Sequence, residues 1–152
     1  VGSEMCIRDS LFKNGVKPMW EDPVNAAGGR WIITLRDRGR TAGSRLVHEA
    51  LLDRSWMWLV LALIGETLDD NDLVTGAVCS LRGKGDRIAI WTRRKEPIDE
   101  LNAMGEKLLD VLNLQHEPSV QMEFSFNFGS KDKPHLYTKK SMAGLASTAP
   151  SA

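Results

Sequence analysis

Two cysteines, Cys6 and Cys79, are all that the 152-residue chain carries. One such pair makes neither a disulfide framework nor a metal-ligand set, and it suits a reducing compartment. Net charge is missing too, because twenty basic residues cancel twenty acidic ones. That excludes a general polyanion binder, so any contact with nucleic acid has to come from a local patch. Long apolar runs are absent. The longest, Trp56–Ile64, has nine residues, against the ~20 needed to span a bilayer, and no apolar leader opens the chain. The expectation is a soluble cytoplasmic protein with no membrane contact.

Motifs for catalysis are equally scarce. His48, His116 and His135 are isolated in spacing and show no metal-ligand pattern. Nucleophile elbow, Walker loop and dinucleotide fingerprint are all lacking; Gly83-Lys84-Gly85 has neither the first glycine of a P-loop nor its Ser/Thr. Asp69, Asp70 and Asp72 lack the glycine and terminal glutamate of a calcium loop. Glu21 with Asp22 is a carboxylate pair by adjacency only. No catalytic residue, metal or cofactor is expected.

What the chain does have is alternation. Val74–Arg82 and Arg87–Arg93 flank Gly83-Lys84-Gly85-Asp86, the signature of a β-hairpin. Period two puts Arg87, Ala89, Trp91 and Arg93 on one face and Ile88, Ile90 and Thr92 on the other. In the simplest register Arg82, Arg87 and Trp91 look out from the same side. Residues 82–95 hold six Lys/Arg and one Asp, and cations beside an indole suit a base-plus-phosphate ligand. Taken alone, the same residues also fit an edge hairpin with a solvated basic rim and a core tryptophan. Ser119–Phe128 alternates without a fault and predicts a half-buried antiparallel strand. Arg30–Leu35 predicts another, with Trp31, Ile33 and Leu35 on one face.

Leu46–Ile64 predicts the main helix, stopped by Gly65, after a charged loop over Arg36–Arg45. From Trp56 onward it is apolar all round, more than one core-facing stripe requires. The surplus (Met57, Trp58, Leu61) implies burial on two sides or a partner on the outer face, and the docking surface is preferred. Pro97 opens a second, ordinary amphipathic helix to about Leu112. Between Pro18 and Pro23, Trp20 and Glu21 stand in a polar loop, which leaves Trp20 either presented to a ligand or turned into the core. Residues 1–10 read as a non-native junction, residues 11–140 as one domain, and residues 141–152 as a disordered tail. Lys131, Lys133, His135, Lys139 and Lys140 form a basic loop after the last strand.

An ordered set of short segments carries a resemblance. It comprises Phe12–Val16 with Pro18–Asp22, Gly28-Gly29-Arg30-Trp31, Trp56, Leu63–Glu66, Gly76-Ala77-Val78, and Arg82 with Lys84-Gly85-Asp86 and Ile88–Trp91. Together they resemble eukaryotic translation initiation factor 4E from about Leu11 to Phe128. The resemblance implies an α+β fold: a curved antiparallel β-sheet with helices on its convex face and, on the concave side, a pocket for the 7-methylguanosine cap of mRNA. It implies that Trp20 stacks on the guanine, whose N7-methylation adds a cation–π attraction. Glu21 then accepts the guanine N1–H and N2 amino group, and Trp91 lies against the methyl group. Arg82 and Arg87 (a lysine-type position) hold the triphosphate, with Lys84 and Arg30 as lesser phosphate contacts. Met57, Trp58 and Leu61 fall on the surface that docks the initiation factor 4G scaffold and 4E-binding repressors; Trp58 replaces the family's glutamate. The family's other stacking tryptophan lies upstream of Leu11, so the chain resembles a fragment lacking the N-terminal strands. One stacking partner is worth roughly 1–3 kcal/mol. A monomer is expected.

Overall fold

The computed structural model describes residues 6–19, 21–36, 41–68, 72–81, 85–95, 97–117 and 119–127. Of residues 6–8 and 126 only the backbone is described. Alternating segments become strands β1 (Cys6–Phe12), β2 (Gly29–Leu35), β3 (Val74–Leu81), β4 (Asp86–Thr92) and β5 (Val120–Phe126). They form one antiparallel sheet in the order β1-β3-β4-β2-β5. Helices α1 (Pro23–Ala26), α2 (Ala42–Ile64) and α3 (Ile98–Leu112) complete the chain order.

Period two decides which face is dry. Trp31, Ile33 and Leu35 of β2, Ile88 and Ile90 of β4, and Val120, Met122 and Phe124 of β5 all enter one apolar core. From α2 the core takes Leu52, Trp56 and Leu59, and from α3 Leu101, Leu108 and Leu112. Ala77 and Cys79 of β3, neither with any exposed surface, point the same way. Polar contacts among the described residues also fasten α2 and α3 to the sheet. The Trp31 indole donates to Leu101 O at 3.0 Å, the Trp56 indole to Asp9 Oδ2 at 3.0 Å, and His48 Nε2 meets Asp86 Oδ2 at 2.8 Å in a buried pair.

Two expectations are corrected. Residues 1–10 read from sequence as a non-native, disordered junction, yet Cys6–Ser10 belong to β1 and pair with β3, Cys6 opposite Leu81 and Ser10 opposite Val78. A register shift between Ile7 and Asp9 breaks the alternation that would have announced the strand. The main helix also begins at Ala42, not Leu46. Thr41 caps it: its hydroxyl accepts from Ser44 N–H at 3.1 Å, and Ser44 Oγ accepts from Thr41 N–H at 3.1 Å. Serine here takes the place of the usual Glu/Gln of a capping box. The basic loop 131–140, the tail 141–152 and Asp69 and Asp70 lie outside the described residues.

Candidate nucleotide-binding face

The sheet surface turned away from α2 and α3 is built of cross-strand rows. The first runs Phe12, Gly76, Trp91, Arg30, Ser125 across β1, β3, β4, β2 and β5. The next in-facing row is Ser10, Val78, Ala89, Ile32, Glu123, and the third is Ser80, Arg87, Thr34, Gln121. An aromatic–cation row and a polar row with a guanidinium are thus separated, on the three inner strands, by the apolar Val78, Ala89 and Ile32. Trp91 and Arg87 are four residues apart on β4, roughly 13 Å at strand rise.

Trp91 is built in place from both sides. The Arg30 guanidinium lies 5.3 Å from its ring centroid, a separation at which the indole face attracts a cation. On the other side Phe12 meets it edge-on, with centroids 5.7 Å apart and planes at 75°. Gly76 makes that approach possible, because a Cβ there would stand 2.2 Å from the Phe12 ring. Trp91 is therefore 6 % exposed without joining the helix-side core, and its Nε1–H has no partner among the described residues. The alternative of a core tryptophan is resolved by direction: Trp91 is buried on the face turned away from α2 and α3. Arg30 beside it, and Arg87 farther along β4, are half-buried.

The loop before α1 reaches the same end of the sheet. A Cβ at Gly28 would stand 1.7 Å from Thr92 O, so the chain leaving α1 presses against the residue after Trp91. Asp22 caps α1 with its carboxylate, accepting Val24 N–H at 3.0 Å and Lys17 N–H at 2.9 Å. The Lys17 N–H bond, then the Val24 one and the nearby Lys17 charge, hold the Asp22 carboxyl below its ordinary value. Glu21, just before it, is exposed.

Of the site residues expected from sequence, Arg30, Arg87 and Trp91 share one face. Glu21 is exposed in the loop bound to that face's Trp91 end. Trp20, Arg82 and Lys84 lie outside the described residues. Ser80, two positions before Arg82, stands opposite Arg87. Phe12 was missed as a wall of Trp91, since only the pairing of β1 with β3 sets it there. Among the described residues no group of three or more metal-binding side chains is gathered, and no helix is long and apolar enough to cross a membrane.

A second surface lies on the far side of α2. Met57 is 53 % and Leu61 59 % exposed, and Ile64 extends the bare apolar stripe. Trp58 packs partly against the core, with the Arg54 guanidinium 5.1 Å from its ring.

The sequence profile described as Eukaryotic initiation factor 4E matches residues 4–142. The chain belongs to the eukaryotic initiation factor 4E family. It is similar to the initiation factor 4E of Homo sapiens, 45% identical over 131 residues that cover 86% of this chain and 56% of that protein. The 4E-1A protein of Danio rerio is 48% identical over the same shares. Among solved structures, Ascaris suum eIF4E-3 in complex with the m7G cap matches with a TM-score of 0.68 at 35% identity, over 85% of this chain and 66% of that one. Caenorhabditis elegans eIF4E-3 in complex with the 4E-binding protein Mextli matches at 0.65 and 33% identity, over 77% and 62%. The chain spans about half the length of the curated relatives it matches. Family membership agrees with the α+β architecture: a curved antiparallel sheet with α2 and α3 packed on one face.

Proposed function

We propose that this chain binds the 7-methylguanosine cap of mRNA through the sheet face turned away from α2 and α3, as a non-catalytic translation initiation factor of the cytoplasm. The observation that carries the reading is one sheet face that holds Trp91 with Arg30 against its ring at one end and the Arg87 guanidinium farther along β4. A methylated guanine seated at the Trp91 end directs its phosphates along β4 towards Arg87, and the roughly 13 Å available suits a triphosphate. Glu21 accepts the two parallel donors of the guanine edge, which adenine does not offer. Trp20 stacks on the base, and Arg82 and Lys84 join Arg87 on the phosphates. Each charge-assisted contact is worth about 1.5–3 kcal/mol.

A second reading is favoured by the α2 stripe. Exposed apolar residues at helical spacing are what a helical peptide needs on a partner, so Met57 and Leu61, flanked by Trp58, dock the 4G scaffold or 4E-binding repressors. A divergent member that docks partners while binding caps weakly is the alternative to cap recognition. Quenching of tryptophan fluorescence by 7-methyl-GTP, compared with GTP, tests the first reading; equal quenching by both refutes it. Glu21→Gln is expected to weaken 7-methyl-GTP binding at least about tenfold with melting temperature unchanged. Retained affinity refutes the guanine-reading role.

A further inference from the structure

Asn25 is a turn-type residue in a four-residue helix, yet none of its surface is exposed. Its side chain is fully used. Nδ2 donates to Lys17 O and Met19 O, each at 2.9 Å, and Oδ1 accepts from Thr75 Oγ1 at 2.7 Å. Two carbonyls facing one amide end demand the nitrogen there, so the amide orientation follows from its partners. Thr75, on β3 beside Gly76, is itself fully buried, and its carbonyl accepts Lys13 N–H at 3.0 Å. The Asn25 carbonyl in turn accepts from Asn127 Nδ2 at 3.0 Å. One side chain therefore joins the loop before α1 to the start of β3.

What that loop carries is Glu21. Met19 is held through its carbonyl by Asn25, while Asp22 is held by its own caps to Lys17 and Val24 and by its N–H to Met19 O at 3.3 Å. Glu21 stands between these two anchors, within about 7 Å of chain from Met19. A carboxylate that must accept two parallel donors needs its backbone fixed, because small misplacement forfeits the second bond. We propose that Asn25, through Thr75, is the positioning residue for the guanine-reading carboxylate; the assignment rests on the cap reading above. Asn25 touches no ligand itself.

The test separates base reading from phosphate holding and from stability. For each variant, affinities are measured for 7-methyl-GTP, 7-methyl-ITP (which lacks the 2-amino donor) and 7-methyl-GMP, alongside thermal melting. Asn25→Asp keeps the acceptor towards Thr75 but turns a carboxylate towards the Lys17 and Met19 carbonyls. Its expected result is loss of the preference for 7-methyl-GTP over 7-methyl-ITP, together with about a tenfold loss in affinity for 7-methyl-GMP. The gain from GMP to GTP, which belongs to Arg87 and its neighbours, should persist. Thr75→Val, nearly isosteric, should act the same way, and Thr75→Ser, which restores the hydroxyl, should recover the preference. If folded Asn25→Asp or Thr75→Val keeps the 2-amino preference, or if Thr75→Ser fails to recover it, the assignment is overturned. A parallel fall of base preference, phosphate gain and melting temperature would show a merely structural role and overturn it too. Wild-type protein that fails to prefer 7-methyl-GTP over GTP overturns the cap reading first, and this assignment with it.

Discussion

Gly105 of α3 and Gly43 of α2 invite the same substitution with opposite outcomes. At Gly105 an added Cβ would stand 2.8 Å from Trp31 Cζ2 and 3.0 Å from Cε2. The ring cannot swing aside. It has no exposed surface, its Nε1–H is bonded to Leu101 O at 3.0 Å, and it meets the Phe124 ring in a T-shaped contact at 5.2 Å between centroids. Alanine gains about 1 kcal/mol of helix propensity over glycine. Against that, overpacking a rigid core costs about 1–3 kcal/mol, and displacing the indole strains a hydrogen bond worth about 1 kcal/mol. Gly105→Ala should therefore destabilise the fold by about 1–3 kcal/mol. At Gly43 the nearest atom to an added Cβ is Thr41 Oγ1 at 4.0 Å, so nothing opposes the gain in chain stiffness. Gly43→Ala should stabilise by about 0.4–1 kcal/mol. Urea unfolding followed by tryptophan emission reads both, provided the slopes stay equal. A Gly105→Ala protein as stable as wild type would refute the packing argument, since Gly43→Ala shows what alanine contributes when unopposed.

Arg87→Ala is expected to lower 7-methyl-GTP affinity about tenfold or more while leaving 7-methylguanosine affinity nearly unchanged; titration with both ligands checks it. Met57→Asp, at a half-bare position, should abolish binding of a 4E-binding helical peptide yet shift unfolding free energy by no more than about 0.5 kcal/mol. For Asp22 the sign follows from a folded-state carboxyl held below its ordinary value: its contribution is complete above the unfolded value and is lost as pH falls through the lower folded one. The loop around Glu21 should stay intact through mildly acidic pH and open only in stronger acid, and Asp22→Asn should remove that transition. Amide exchange at Lys17 and Val24 as a function of pH reads it.

Much of the sheet was legible because local alternation and burial agree. Trp31, Ile33 and Leu35 fall on the dry side, and Arg87 and Trp91 on the opposite one, as period two requires. The second helix, with Asp99 and Glu100 in its first turn, followed its amphipathic stripe. β1 did not show itself, because its bulge breaks the period and its pairing partners lie on β3. The first turn of α2 was hidden by Gly43, a loop signal in sequence but tolerable where the Thr41–Ser44 cap carries the helix start. Half of the candidate nucleotide-binding face was readable from charge and spacing at Arg87 and Trp91. Phe12, Thr75 and Asn25 were not, since each acquires its role only from a residue distant in the chain. An asparagine in a loop looks like a turn former until the carbonyls it satisfies are known.

The strand order carries a kinetic consequence. Only β3 and β4 are neighbours both in the chain and in the sheet. Every other ladder joins distant segments, as when Phe12 meets Gly76 or Gly29 meets Phe126. Loop entropy is spent before such ladders return any contact, which places this topology among slow folders, on the order of milliseconds to seconds. The β3–β4 hairpin is the segment able to assemble early on its own. Arg87 and Trp91 ride on it, so during synthesis the emerging polypeptide has both side chains on one strand before β5 arrives to close the far edge.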